Sequence, residues 1–167
     1  SRDSFNAVPD NTLDVRKIMH SAEAQFLMLL MNYKGSLRKI ISQIDENWLT
    51  IENVCGSLLQ KVIYEIKENG VEEISNIPSW EFAEDEKKTW FFLLNENLKI
   101  EYPKEMFEVC LKQIYKKFLK KHILDIDKKL ANISIHKDLK EIDALKMERL
   151  RLKQALATEH RFQIEID

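Results

Sequence analysis

The sequence predicts an all-α protein: a helical bundle subdomain joined by a long helix to a C-terminal antiparallel helical hairpin. Three observations predict it. Gly and Pro number three each in 167 residues, while 32% of residues are charged, a composition rich in helix formers and poor in turns. Apolar residues recur at 3- and 4-residue spacing along most of the chain. From Pro103 to about Leu130 no helix breaker intervenes. No strand pattern runs longer than a few residues, and no internal repeat is visible. The expected division is a linker over 1–17, a bundle over 18–118 and a hairpin over 119–167.

In chain order, Ser1 to about Asp14 is polar and holds the turn residues Pro9-Asp10-Asn11. It reads as the end of a linker, so the chain is expected to be a fragment of something larger. Ser21 is placed to cap a helix, with Glu23 in the first turn. The run from Ala22 to Met31 is apolar nearly all round, as in the central helix of a bundle. Lys34-Gly35-Ser36 breaks it, and Ser36 is expected to cap a shorter helix with Leu37, Ile40, Ile41 and Ile44 on one face. Thr50 is expected to start the next helix, with Ile51, Val54, Leu58, Val62 and Ile66 in helical period. Asn69-Gly70 ends it as a C-cap would. Val71 to Ile77 reads as a short helical or irregular piece. Pro78-Ser79 resets the chain. Glu84-Asp85-Glu86 then forms an acidic first turn ahead of Trp90, Phe91, Leu94 and Leu98.

Pro103 sits where a first helical residue should, with fixed φ and no N–H to satisfy. Glu105 and Glu108 complement the positive end of the helix dipole. Two apolar stripes follow. Phe107, Leu111, Ile114 and Phe118 form the first; Leu119, Ile123, Ile126, Leu130 and Ile133 form the second, turned by roughly 90°. One helix burying two faces should touch two bodies, the bundle and then a hairpin partner. The return helix presents Ile142, Leu145, Leu152 and Leu156 to that seam, with Arg149 interrupting it.

Charge is uneven. The net is −2, but residues 1–103 carry 11 Lys/Arg against 17 Asp/Glu, and residues 104–160 carry 14 against 9. An acidic bundle and a basic hairpin could guide contacts with a partner. Cys55 and Cys110 fall on apolar faces; a disulfide between them is the alternative, but they read as buried free thiols in a reducing, cytoplasmic compartment. The apolar run Phe26 to Met31 is too short to span a bilayer.

Catalytic signatures are missing. Glu81, Glu84, Asp85 and Glu86 read as a solvated helix start rather than a metal cluster. His20, His122, His136 and His160 are scattered surface residues without zinc spacing. There is no phosphate loop, GxSxG or HExxH. Trp48, Trp80 and Trp90 read as core anchors. The lysines at 116, 117, 120, 121, 128 and 129 read as a solvated face. No catalytic, cofactor-binding or metal-binding residue is assigned, and no enzyme activity is expected of this segment.

The order of elements resembles the C-terminal helicase-binding domain of bacterial replicative DNA primase. Ala22 to Met31 is similar to that domain's opening helix, a short acidic start before a Leu-rich run. Glu105 to Leu130 resembles its long connecting helix, and Glu148 to Leu156 its Leu/Lys/Gln-rich closing helix. Where the family often has His-Pro after the first helix, this chain has Asn32-Tyr33-Lys34-Gly35. The resemblance implies a module that docks primase on the hexameric replicative DNA helicase for primer synthesis in DNA replication. The zinc-binding and polymerising domains of such a primase would precede Ser1. Two other readings remain: the N-terminal domain of the replicative helicase itself, and a basic helical nucleic-acid-binding adaptor. Direct contact with nucleic acid is the lesser expectation and would use the basic hairpin.

The candidate partner-binding residues come from helical geometry. Relative to Leu145, Leu139, Leu150 and Met147 project at roughly 120°, 140° and 200°, away from the seam. Ile133 and Ile135 add two apolar side chains at the tip. Either these five residues anchor a partner, or the bundle folds over them, or they are scattered exposed apolar residues of the kind any surface carries.

Overall fold

A computed structural model describes residues 20–96, 99–133, 139–162 and 164. Those residues are helical with connecting turns, and no strand occurs among them. Six α-helices follow in order: α1 Ala22–Asn32, α2 Leu37–Ile41, α3 Val54–Lys67, α4 Glu84–Asn95, α5 Pro103–Asn132 and α6 Leu139–Ala157. Three single 3₁₀ turns, Glu46–Trp48, Ile74–Asn76 and Ser79–Glu81, carry the connections.

Local chemistry sets most of these boundaries. The Ala24 N–H donates to the Ser21 hydroxyl at 3.1 Å, so Ser21 caps α1 as expected. α1 is apolar on nearly every side and is buried from Phe26 to Leu30. Gly70 adopts φ +67°, a conformation open to glycine, where the chain leaves α3. α5 is one unbroken helix of 30 residues with Pro103 in its first turn, a rod of about 45 Å.

The larger core gathers α1, α2, α3, α4 and the first half of α5. Phe107 is its aromatic centre, meeting Phe26 edge-on at 5.3 Å and Tyr33 at 5.7 Å. A second, smaller cluster holds Leu119, Ile123 and Ile126 of α5 against Leu152 of α6. Asp127 pairs with Arg149, while Tyr115 meets His160 beyond the end of α6. The two helices therefore run in opposite directions. Phe107, Leu111 and Ile114 of the first stripe thus lie in the larger cluster and Leu119, Ile123, Ile126 and Leu130 of the second in the smaller, but Phe118, expected with the first stripe, packs in the smaller one.

Several expectations need correction. Ser36 stands at the start of α2 without a side-chain capping hydrogen bond, and Ile44, though buried, lies beyond the helix end at Ile41. α3 begins at Val54, not Thr50, because the Asn53 carboxamide accepts the N–H groups of Cys55 and Gly56. Ile51 lies in the turn before it and is exposed. α4 buries Glu86, Thr89, Trp90 and Leu93, leaving Phe91 and Leu94 exposed; Leu98 lies outside the described residues. Trp80 is 78% exposed in its 3₁₀ turn, and Phe82 instead enters the core to meet Trp90 edge-on at 5.3 Å. Trp48 is half-buried. Glu86 is buried, unlike its acidic neighbours. Arg149 does not merely interrupt the seam but answers Asp127 at 2.5 Å. Phe162 and Ile164, beyond α6, return to the larger core, where Phe162 packs on Trp48 at 5.7 Å.

Candidate interaction surface

α6 buries only Leu152 fully. Ile142, Leu145, Ala155 and Leu156 are half-buried on the same side, facing α5. The opposite side is where the predicted anchors lie. Leu139 is 72% exposed, Met147 68% and Leu150 51%. A helix places these three within an arc of roughly 80°, so they form one face open to solvent, apolar except for the exposed Asp143 between Leu139 and Met147. The bundle does not fold over them. Ile133, at the C-cap of α5, is half-buried. Ile135 lies outside the described residues.

Charge surrounds this face. Lys146 and Lys153 project along one edge and Arg151 along the other. Arg151 bonds to Glu148 at 2.7 Å. On α5, Leu124 is a further exposed apolar residue beside the α5–α6 junction. It lies off both stripes of α5, so helical period does not mark it.

A second surface went unforeseen. α1 and the start of α5 diverge to leave an apolar groove of about 660 Å³, walled by Met28, Leu29, Met106, Val109 and Cys110. Val109 is 52% exposed there, and Tyr102 and Glu105 stand beside it. Its walls come from segments far apart in sequence, so no local pattern announces it. Val109, an apolar residue on the side of α5 opposite its first stripe, was the available signal. Burial pushes the Cys110 thiol up to about 12 and the Cys55 thiol to about 11, where the Ser21 hydrogen bond opposes only part of the shift. Both stay protonated at neutral pH, and both are free.

Other candidates resolve into structure. Lys117 reaches the buried Glu23 at 3.0 Å and Lys121 reaches Glu52 at 3.2 Å. His20 and His160 are exposed, His122 is half-buried, and His136 lies outside the described residues. Among the described residues no three His, Cys, Asp or Glu side chains gather as a metal site. No helix among them is long and apolar enough to cross a membrane. No family model, curated protein or solved structure matches this chain.

Proposed function

We propose that this chain is the helicase-interaction module of a bacterial DNA primase, a bundle bearing a helical hairpin that docks on the hexameric replicative helicase. The observation that carries the reading is the open apolar face of α6. Leu139, Met147 and Leu150 stand out to solvent on a helix whose other side is held by α5. An amphipathic helix presented this way suits docking into a groove of a helical partner, with basic residues guiding approach. The unbroken α5, shared between two apolar clusters, would set the hairpin off from the bundle. Ile133 and Ile135 belong to the same proposed contact at the hairpin tip. The buried free cysteines suit a cytoplasmic site of action. In this reading the segment binds, and primer synthesis belongs to a catalytic domain elsewhere in the protein.

The test is binding of the chain to the purified hexameric replicative helicase, measured by calorimetry. Leu150→Glu and Ile135→Glu should each weaken binding by about 1–3 kcal/mol, the range of a moderate hot spot. Helix content by circular dichroism should not change. Binding that is absent, or indifferent to both substitutions, would reject the reading.

A further inference from the structure

We infer that this chain associates with itself head to tail, the α6 face of one copy seating in the α1–α5 groove of the next. The two surfaces match in kind. The groove is apolar, and Met28 and Met106 in its walls can adapt to an incoming helix. The α6 face offers Met147 and Leu150 on adjacent turns, with Leu139 two turns away. The groove wall from Tyr102 to Val109 runs about 10 Å, enough for two turns of a guest helix.

They match in charge as well. Glu105 borders the groove; Glu101, ahead of the helix, is exposed and already paired with Lys99 at 3.9 Å. Lys146 and Lys153 border the α6 face on one edge, while Arg151 on the other is paired with Glu148. Opposite charges at the rim favour this pairing over others.

One molecule cannot satisfy both surfaces. Arg149 is bonded to Asp127, which sets the α6 face beside the second half of α5. The groove lies at the other end, roughly 30 Å away along that helix. The contact is therefore between copies. It joins two different patches, so it does not close at a dimer unless the rotation closes a ring. It does not rest on the helicase reading. It uses the same α6 face, so a seated copy would exclude a helicase from it.

Sedimentation equilibrium of the chain alone tests this, over about 1 μM to 1 mM, the span of weak to moderate affinities. The weight-average mass should climb past that of a dimer at low salt and fall back as salt screens the rim. Val109→Glu and Leu150→Glu, both at exposed positions, should each be monomeric with unchanged helix content. A 1:1 mixture of the two variants should form heterodimers and stop there, because each retains one intact surface. Glu105→Lys should weaken association about fivefold without touching the apolar contact. A wild-type chain that stays monomeric throughout overturns the inference. So does association that ends at a symmetric dimer, survives both substitutions, or is not restored to a heterodimer in the mixture.

Discussion

Glu86 is buried because three donors reach its carboxylate. The Lys61 ammonium lies at 2.6 Å, the Ala83 N–H at 2.9 Å and the Ser57 hydroxyl at 3.1 Å. The Ala83 contact is half of a capping box; alanine has no side chain to return it. Burial would raise this carboxyl, but the hydrogen bonds from Lys61, Ala83 and Ser57, with the Lys61 charge, outweigh it and hold the pKa below the ordinary 4.5. A depressed folded-state pKa stabilises the fold above the unfolded value, and that stability is lost as pH falls through the folded value. Glu86→Gln should therefore cost about 2 kcal/mol at neutral pH, and urea unfolding should show the difference shrinking in acid. Gly56 is constrained by space rather than by φ. A Cβ there would drive into the Thr50 carbonyl oxygen, which is backbone and cannot swing aside. Gly56→Ala should lower stability by about 1–3 kcal/mol in thermal melts. Gly35→Ala meets only the end of the Tyr33 side chain and should cost less.

At the scale of the element, α6 is held at two places of different kind. Leu152 inserts among Leu119, Ile123 and Ile126. Past the end of the helix, Phe162 lies with Trp48 and Tyr115, its ring 4.7 Å from that of His160. Removing either side chain should cost about 3 kcal/mol, as large core truncations do. Hydrogen exchange should separate them. Leu152→Ala should speed exchange within α6, whereas Phe162→Ala should also loosen the Glu46–Trp48 turn that Phe162 packs on. Equal exchange profiles for the two variants would mean that the tail and the seam open as one unit. The period of α6 was legible in its sequence; the role of the tail was not, since Phe162 and Ile164 follow the helix without any pattern of their own.

At the scale of the whole molecule, α5 is the shared member. Phe107, Leu111 and Ile114 belong to the larger cluster, and Leu119, Ile123 and Ile126 to the smaller. Between them, Lys117 reaches back to Glu23 of α1, whose side chain is almost fully buried and whose second oxygen has no hydrogen-bond partner. Lys117→Met should leave that carboxylate without its cation and cost about 2 kcal/mol in urea unfolding. The double variant Glu23→Gln/Lys117→Met should recover part of the loss, because a neutral amide is less costly to bury than an unpaired charge. If the double variant is as unstable as the two single losses summed, the pair is not coupled.

The helices and most of their ends were decided by the sequence itself. Ser21 caps α1, Asn69-Gly70 closes α3, and Pro103 opens a helix that nothing interrupts before Asn132. Such signals act within one or two turns, where hydrogen bonding and φ preference need no distant partner. The two stripes of α5 and the outward face of Leu139, Met147 and Leu150 were legible for the same reason: helical period is local. Tertiary structure decided the rest. It turned α4 so that Trp90 and Leu93 are covered while Phe91 and Leu94 are not, and it left Trp80 in solvent. It buried Glu86 against Lys61, drew Phe162 and Ile164 back to the larger core, and opened the groove between α1 and α5. Each of these depends on which segments meet across long stretches of chain. Burial is a property of neighbours, and a periodic pattern names a face without saying what will cover it.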